Sequence, residues 1–469
     1  MKISLIGLGK LGAPMMAAYA SRGNQVIGVD TNDKIIEELN AGHSHLKETG
    51  LNELLKKHKK QISATRDINH AVLNSDITFI IVPTPSINGG SFTNKHVLEA
   101  CKNVAETLKK KNKYHLVIVS STVMPGSSFE IVSQLEKFSG KKCGKDFGFC
   151  YNPEFIALGS IIRDLLNPDF ILIGELDKKD GDILEKFYKK TVGRQVKISR
   201  MNPTNAEITK IALNSFVTMK ISFANLLAEI CHKIPGGNVD AVTRALGNDS
   251  RIGHKYLKGG LGFGGPCFPR DNKAFANLAA NLNLPSPLAL ANHKFNGSLG
   301  DLLKNRILEK HIGDAPIGIL GLTYKPGTDV IEESQGLLLA QNLIKHGKKV
   351  IVFDPAGMEN ARRQLGNTAV FASSAAECIK KSKTVILATP WKAFSKIDPL
   401  LFKKGIKPKY LLDCWRILDP IKFEKVFSRL FVEKNGNFAY FGTGKPCFNN
   451  SSLRIILLSQ SILPSRNSD

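Results

Sequence analysis

The chain has 469 residues and a formal net charge of +24, with 42% hydrophobic and 23% charged residues. This composition is that of a globular protein, so disordered and collagen-like chains are excluded, and the length predicts about three domains. No continuous apolar run approaches the ~20 residues of a membrane helix, so we predict neither an integral membrane protein nor a membrane partner.

The net charge and the cysteines limit the possible partners and the cellular compartment of the protein. The excess of Lys and Arg fits a polyanionic partner, phosphorylated small molecules or simple solvation of helix faces. The densest lysine runs, 54–60 and 108–113, contain no interleaved aromatic residue, which argues against a nucleic-acid groove. The eight cysteines include no Cys-x-x-Cys pair, so we expect no disulfide framework, no metal site and a reducing, cytoplasmic location.

The first elements predict a nucleotide-binding unit. An apolar strand at 2–7 leads directly into a glycine loop, a helical run follows to Arg22, and a second strand, Gln25–Val29, ends in Asp30. A secretion signal also begins with a basic residue and an apolar stretch. It does not require this order of strand, glycine loop and helix, so we do not interpret the N-terminus as a signal.

The glycine loop reads G-x-G-x-x-G at positions 7–12, and Asp30 stands 18 positions beyond its last glycine. Between a strand and a helix, this spacing indicates a dinucleotide site. Gly7 permits the tight turn, Gly9 lets the backbone approach a pyrophosphate, and Gly12 lets the helix pack on the sheet. Asp30 would bind the ribose hydroxyls and repel a 2′-phosphate, which favours NAD over NADP. The predicted contacts of this loop are Gly7, Gly9, Lys10, Leu11, Gly12 and Asp30.

Strand-like and helix-like runs then alternate, with strands at 77–82, 115–120, 147–151 and 170–174. The alternation is typical of a parallel, doubly wound sheet. Each strand ends in small, polar or proline residues. Ligands of such sheets lie outside the carboxyl ends of the strands, so we expect the site along this edge.

From about residue 204 the pattern becomes helical. The run Thr204–His232 contains no Gly or Pro and carries apolar residues on more than one face. Such a helix must bury more than one face, and a two-fold partner is the simplest cover, so we predict a homodimer or a higher homo-oligomer. Lys210 and Asn214 share one face, where they could donate to an oxyanion or form a solvated stripe.

A glycine-rich segment, 259–271, interrupts the helical region. Within it, at positions 262–271, three glycines and two prolines fix a rigid loop around Cys267. A thiolate nucleophile needs an accessible, electropositive site, whereas most cysteines are buried and inert. The local sequence leaves both interpretations open.

A second α/β unit begins near residue 315, with strands at 316–322, 349–353, 384–388 and 410–412 and a helix at 336–345. It lacks a G-x-G-x-x-G loop, so we do not expect a second site for the same cofactor. The predicted fold is therefore two Rossmann-like, doubly wound α/β domains joined by a central helical domain with a long helix. The predicted divisions are 1–198, 199–300 and 301–444, followed by a disordered tail at 445–469.

Six motifs in chain order resemble the UDP-glucose/GDP-mannose dehydrogenase family, over roughly residues 1–440. They are Ser121-Thr122-Val123 with Pro125-Gly126, Tyr151-Asn152-Pro153-Glu154-Phe155, the Glu207…Lys210…Asn214 helix, Arg251-Ile252-Gly253, the Gly262–Asp271 loop and Gly321-Leu322-Thr323-Tyr324-Lys325-Pro326. The resemblance implies oxidation of a primary alcohol of a nucleotide sugar to a carboxylate, with two NAD. UDP-glucose is the leading substrate; a UDP-N-acetylhexosamine and GDP-mannose stay open.

The resemblance also implies residue roles. The catalytic set is Cys267, Lys210, Asn214, Asp271, Thr122 and Glu154. The cysteine would attack the intermediate aldehyde to give a thiohemiacetal and then a thioester. The lysine and asparagine would stabilise the oxyanion, the aspartate and threonine would position the hydrolytic water, and the glutamate would assist proton transfer. Thr84 and Thr122 join the cofactor contacts. The implied substrate contacts are Glu154, Phe155, Lys210, Asn214, Arg251, Tyr256, Leu257, Phe263, Gly264, Tyr324, Lys325 and Arg416.

Two positions depart from the family pattern. Leu158 stands where Glu is usual, and Glu332 stands where Arg is common. Both usual residues lie near the bound dinucleotide, so we expect those cofactor contacts to differ in this chain. The family also dimerises through its central domain and can lend the residue matching Arg251 to the neighbouring site, so we expect Arg251 to act in trans.

Two rival functions remain. A two-electron hydroxyacid dehydrogenase would share the N-terminal fold and a helical domain, but it would need neither Cys267 nor a third α/β domain. A non-catalytic nucleic-acid-binding protein is suggested only by the net charge, and it ranks last.

Overall fold

The structure, a computed structural model, describes residues 1–192, 195–311, 313–406, 410–419, 421–423 and 439–442, the last group by its backbone alone. The predicted tail, 445–469, lies outside this set.

The N-terminal unit is a sheet covered by helices on both faces. Its strands are β1 Lys2–Ile6, β2 Gln25–Val29, β3 Ile62–Thr65, β4 Ile77–Ile80, β5 Leu116–Val119, β6 Gly148–Tyr151, β7 Phe170–Glu175 and β8 Lys197–Met201. Its helices are α1 Gly12–Ala20, α2 Asp33–Ala41, α3 Leu51–Lys57, α4 Ile68–Leu73, α5 Lys95–Leu108, α6 Ser127–Ser139, α7 Ile161–Leu166 and α8 Lys178–Thr191. Among the described residues, the strand order is β3-β2-β1-β4-β5-β6-β7-β8.

The expected parallel sheet is confirmed for β1 to β6 and is wrong for β7, which pairs antiparallel to β6. The reason lies in the connection between them. Its helix, α7, has six residues, or about 9 Å at 1.5 Å per residue. A parallel crossover must return along the whole strand, and α7 is too short for that. The chain therefore stays at the carboxyl edge, where it carries Glu154.

The central region contains α9 Pro203–Lys233, α10 Val239–Asn248, α11 Phe268–Asn281 and α12 Pro287–Lys310. The Asn202 side chain accepts a hydrogen bond from the Asn205 amide and caps α9, whose first residue is proline. By length and hydropathy alone α9 could cross a membrane, a test that core helices also pass. Here it packs against β7, α11 and α12.

The C-terminal unit repeats the α/β pattern. Its strands are β9 Ile317–Leu320, β10 Val350–Phe353, β11 Val370–Phe371, β12 Thr384–Leu387, β13 Tyr410–Asp413 and β14 Ala439–Gly442, and its helices are α13 Gln335–Lys345, α14 Met358–Leu365 and α15 Ala375–Lys381. In the described ranges the strand order is β11-β10-β9-β12-β13-β14. All pairs are parallel except β13 with β14.

Apolar residues of β1, β4 and β5 alternate between two cores, one on each face of the N-terminal sheet. The C-terminal sheet is likewise covered on both faces. The predicted divisions after residues 198 and 300 fall inside β8 and α12, and the domain division remains a prediction.

Candidate active site

The glycine loop between β1 and α1 makes a tight cradle. Gly7 has a φ of +97°, and its amide donates to the Val29 carbonyl. A Cβ at Gly12 would lie 1.9 Å from the Gly7 carbonyl oxygen, so the helix can approach the turn only without a side chain. No side chain caps the start of α1, and Lys10 and Leu11 lie before it with Lys10 exposed. The helix N-terminus is thus available to an anion.

Asp30 completes this cradle. One carboxylate oxygen accepts from the Leu8 amide at 2.8 Å, and the other accepts from the Asn32 amide at 2.9 Å. These bonds fix the carboxylate beside the loop and leave it partly exposed. Nothing lies within 4 Å of a Cβ built at Gly9. The cradle therefore fits a dinucleotide, with the pyrophosphate at Gly9 and a ribose at Asp30.

The carboxyl ends of β4 and β5 bring the two predicted threonines together. The buried Thr84 hydroxyl donates to the Thr122 carbonyl at 2.7 Å. Ser121 ties the same two segments, because its hydroxyl donates to the Val82 carbonyl at 2.7 Å. The sheet edge that carries the glycine cradle therefore continues to Thr122.

Glu154 follows β6 at the next point of this edge. The Lys210 ammonium of α9 donates to the Glu154 carbonyl at 2.7 Å and lies over the Phe155 ring, 4.8 Å from its centroid. Burial raises the pKa of the Glu154 carboxyl to about 7, against the positive charge of Lys210. At neutral pH this side chain can therefore both accept and release a proton.

Helix α9 supplies three buried polar side chains, at one-turn intervals. Glu207 accepts from the Gly126 amide at 2.7 Å and the Ser128 amide at 2.8 Å, so it caps α6 from another unit. Lys210 and Asn214 follow, and both side chains are buried. The solvated stripe left open by the sequence is therefore excluded.

Cys267 caps the start of α11, and Asp271 lies one turn later with its amide bonded to the Cys267 carbonyl at 2.8 Å. Asn214 donates to the Asp271 carboxylate at 2.6 Å, which joins α9 to α11. The Cys267 side chain is exposed. Nearby protein atoms and the Asp271 charge raise the pKa of this thiol, while Lys210 and Arg270 oppose the rise.

The loop before Cys267 is held by side chains that sequence reasoning missed. Asn225 of α9 accepts from the Gly260 amide at 2.8 Å, and Asn296 of α12 accepts from the Phe263 amide at 2.8 Å. Gln335 of α13 donates to the Phe263 carbonyl at 3.3 Å. Their one sequence signal is a polar residue in an apolar helical run, and that signal gives no partner.

The same loop contacts the C-terminal unit closely. A Cβ at Gly264 would lie 2.1 Å from the Glu333 carbonyl oxygen, and one at Gly265 would lie 2.6 Å from the Tyr324 ring. The structure therefore brings Phe263, Gly264 and Tyr324 to the Cys267 loop. Lys210, whose charge acts on the Cys267 thiol, links this loop to Glu154 of the N-terminal unit.

Other predicted substrate contacts lie elsewhere. Burial lowers the pKa of Lys325, and the charges of the Asp164 and Glu48 carboxylates oppose this fall. Arg416 donates to both Asp240 oxygens, at 2.7 and 2.8 Å, and to the Gly259 carbonyl. Arg416 therefore anchors the C-terminal unit on α10 in this structure.

The Arg251 segment lies at the surface. The Arg251 side chain is 86% exposed and pairs with Asp249 at 2.7 Å. Tyr256, with a φ of +64°, is also exposed, and its ring contacts that of Phe268 edge-on. Leu257 is buried beside it.

The structure also locates Leu158 and Glu332, the two residues that depart from the family pattern. Leu158 packs against the core below α1. Glu332 is exposed and lines a cavity of about 560 Å³ with Arg270, Lys273 and Glu333 between the Ser86–Gly90 loop, α11 and α13. Among the described side chains, no group of three or more His, Cys, Asp and Glu could hold a metal ion.

Comparison with known proteins gives a family for each part. Three domains of the UDP-glucose/GDP-mannose dehydrogenase family match in order: the NAD binding domain at 1–192, the central domain at 204–298 and the UDP binding domain at 318–420. A UDP-glucose 6-dehydrogenase of Haloferax volcanii is 34% identical over 403 residues, 85% of this chain and 93% of that protein.

Two further relatives cover most of the chain. The GDP-mannose 6-dehydrogenase of Pseudomonas aeruginosa is 35% identical over 363 residues, 76% of this chain and 81% of that protein. A solved UDP-glucose dehydrogenase from Pyrobaculum islandicum superposes with a TM-score of 0.81 at 33% identity, covering 88% of this chain and 94% of that one.

Proposed function

We propose that this chain, which belongs to the UDP-glucose/GDP-mannose dehydrogenase family and is an NAD-dependent oxidoreductase, oxidises UDP-glucose to UDP-glucuronate. The observation that carries the proposal is the exposed Cys267 at the start of α11, one turn before an Asp271 carboxylate that Asn214 of α9 holds. Relatives named for UDP-glucose and for GDP-mannose are about equally identical to the chain. We choose UDP-glucose because the Haloferax UDP-glucose 6-dehydrogenase matches more of this chain than the Pseudomonas GDP-mannose 6-dehydrogenase does.

The glycine cradle and Asp30 would hold NAD, because both have the space and the charge that a dinucleotide requires. When bound, NAD supplies the hydride acceptor for each oxidation. The chain must then orient the sugar and move protons. Oxidation of the alcohol releases the C6 hydroxyl proton, and Glu154 can take it because its pKa is about 7.

The second oxidation needs a covalent adduct. The Cys267 thiol would lose its proton to solvent, to which it is exposed, and its sulfur would add to the aldehyde carbon. The C–S bond forms as the C=O π bond breaks, and the carbonyl oxygen becomes an oxyanion. Lys210 has three N–H donors and uses one on the Glu154 carbonyl, and the Asn214 amide uses one of two on Asp271. The remaining donors could hold the oxyanion.

Loss of hydride from this adduct leaves a thioester. Water then attacks the carbonyl carbon and the C–S bond breaks. One water proton returns to the Cys267 sulfur and the other is released, so the products are the carboxylate, the thiol and a proton. Asp271, the carboxylate of α11, would position that water together with Thr122. The Asn214 hydrogen bond fixes the Asp271 carboxylate for this task.

The nucleotide would lie on the C-terminal unit, whose Tyr324 contacts the Cys267 loop. Lys325 would bind a phosphate through its ammonium, which donates charged hydrogen bonds to anions, in competition with the Asp164 and Glu48 carboxylates. The described cysteines are all free thiols, which supports a cytoplasmic location.

A homodimer would complete the site. Phe216, Phe223 and Ile230 lie on one stripe of α9 and are 61%, 51% and 44% exposed, and Leu288 of α12 is 70% exposed. Covering this surface with a second copy would remove it from water. Arg251 extends into solvent and would enter the partner's substrate pocket.

Mixing subunits tests this assembly. Cys267→Ala and Arg251→Ala homodimers should each be inactive, and exchanged heterodimers should recover up to one working site. The absence of recovery after demonstrated exchange places Arg251 in its own site, and a monomer by light scattering defeats the dimer.

The activity itself is tested by following NADH formation with UDP-glucose, UDP-N-acetylglucosamine and GDP-mannose in parallel. We expect UDP-glucose to give the highest kcat/KM. A higher value with either other sugar moves the assignment within the family. NADH from a simple hydroxyacid but from none of the sugars contradicts it.

A further inference from the structure

A buried hydrogen-bonded group of three side chains lies behind Glu154. The Asn152 amide nitrogen donates to the Leu172 carbonyl at 2.8 Å, the Tyr188 hydroxyl bonds to the Asn152 oxygen at 2.5 Å, and the same hydroxyl lies 3.3 Å from a Glu154 carboxyl oxygen. Asn152 and Tyr188 are almost completely buried. Bulk water therefore cannot replace any of these bonds.

The Leu172 carbonyl fixes the orientation of the Asn152 amide. The reversed amide would set its oxygen against this carbonyl and leave both acceptors unpaired, so the Asn152 oxygen must face Tyr188. A tyrosine hydroxyl has one proton. A Tyr188 proton aimed at Glu154 would lower the pKa of that carboxyl. At 2.5 Å from Asn152, against 3.3 Å from Glu154, the proton instead belongs to the Asn152 bond.

Tyr188 then offers Glu154 a lone pair rather than a proton. Only a protonated Glu154 can donate to that lone pair, so the bond favours the neutral carboxyl. We propose that Asn152 and Tyr188 are positioning residues that favour the protonated form of Glu154, so that only part of the resting enzyme carries the carboxylate that takes the C6 proton. The role that this gives to Glu154 in the reaction rests on the proposed function above.

Two other polar side chains lie close to Glu154, those of Lys210 and Tyr19. Lys210 of α9 favours the carboxylate by its charge. The Tyr19 hydroxyl of α1 is buried close to Tyr188 and Glu154, and it makes none of the three bonds described above. Tyr19→Phe is therefore a matched control: it removes a neighbouring phenol hydroxyl without removing one of the three bonds.

The experiment compares the full-length protein with Tyr188→Phe and Tyr19→Phe. Infrared titration of the Glu154 carboxyl, isolated by subtraction of Glu154→Gln spectra, gives its midpoint without any turnover. We expect Tyr188→Phe to lower this midpoint by about 0.5–1 pH unit, since the neutral carboxyl loses its acceptor, and Tyr19→Phe to leave it unchanged. The acidic limb of kcat/KM should move by the same amount.

A midpoint that rises or stays in Tyr188→Phe overturns the proposal, as does an equal shift in Tyr19→Phe. Asn152→Leu gives a second test, because it frees the Tyr188 proton for the carboxylate and should also lower the midpoint. Thermal unfolding and NAD binding show which variants are folded. A lowered infrared midpoint without NADH formation from any nucleotide sugar refutes the proposed function and leaves this inference standing.

Discussion

The N-terminal and C-terminal units follow one chain path with opposite consequences for a ligand. The strand order β3-β2-β1-β4-β5 of the first unit corresponds to β11-β10-β9-β12-β13 of the second. At the end of the first strand of each, a glycine amide donates to the last residue of the neighbouring strand: Gly7 to Val29 and Gly321 to Phe353, both at 2.8 Å. The backbone turn is therefore the same in both units.

The residue after each of these glycines also makes the same hydrogen bond in both units. The Leu8 amide donates to Asp30 at 2.8 Å, and the Leu322 amide donates to Asp354 at 2.7 Å. Each aspartate follows the second strand of its unit. A conformational likeness this close would predict two dinucleotide sites from the fold alone.

The surroundings of the two aspartates decide otherwise. Asp354 is 1% exposed, and its oxygens also accept from the Thr323 amide and hydroxyl, the Trp391 indole and the amides of Ala356 and Gly357. Residues 322–334 separate its glycine turn from α13, whereas only 8–11 separate the turn from α1. Asp30 keeps solvent access and can meet a ribose, whereas Asp354 serves the fold.

The largest loss of stability should come from substituting the glycines at the starts of α1 and α13, and each substitution should affect its own unit. A Cβ at Gly12 would lie 1.9 Å from the Gly7 carbonyl oxygen, and one at Gly336 would lie 2.2 Å from that of Gly321. We expect Gly12→Ala and Gly336→Ala each to cost about 3 kcal/mol, because backbone must move. Only Gly12→Ala should abolish NAD binding.

The measurements for this pair are chemical denaturation and quenching of protein fluorescence by NADH. Gly297→Ala is the control, since nothing lies within 4 Å of its Cβ. Loss of NAD binding in Gly336→Ala at a temperature where it is folded would show that the two units are not independent in this respect.

Asp354→Asn should act on stability and not on the cofactor. An amide NH₂ in place of one oxygen sets donor against donor in a buried site, and we expect a loss of about 2–3 kcal/mol in the free energy of unfolding. Urea denaturation measures it, with NADH titration of the folded fraction as a check. A stable Asp354→Asn variant with weakened NADH binding contradicts the comparison.

Asp30→Ala should show the reverse pattern, with the smallest change in stability. We expect NAD affinity to fall about 10-fold, since a charged hydrogen bond to the ribose is lost, and the preference against NADP to narrow. Parallel titrations with NADH and NADPH give both numbers. Equal affinities for the two cofactors in the unmutated protein would remove the role assigned to this carboxylate.

The sequence predicted the buried strands well because their signals are local. Ile77–Ile80 and Leu116–Val119 are continuous apolar runs followed by turn residues, and Gln25–Val29 was predicted with its observed limits. The strands Ile62–Thr65 and Lys197–Met201 were not predicted. They are short, half-exposed edge strands whose polar residues give no run to detect.

The site residues likewise divide into those with a local sequence signal and those whose role depends on packing. The glycine loop and Asp30 are close in sequence, so their spacing could be read directly. Cys267 could only be suspected, because its exposure depends on the packing of three units. The roles of Tyr188 and Asn225 could not be predicted, because each acts through a partner 34 to 36 residues away in the chain. Arg416 carries a charge, and only the fold shows its bond to Asp240.

We propose that the open N-terminal unit and the sealed C-terminal unit act together on one thiol, that of Cys267, which carries a sugar through two oxidations. The most direct test is the number of NADH molecules formed per UDP-glucose consumed, in the unmutated protein and in Cys267→Ser. We predict two NADH per sugar for the former. For the latter we predict retained NADH and sugar binding with net turnover reduced by more than about 1,000-fold. Two NADH per sugar from Cys267→Ser at a near-unmutated rate would contradict the account.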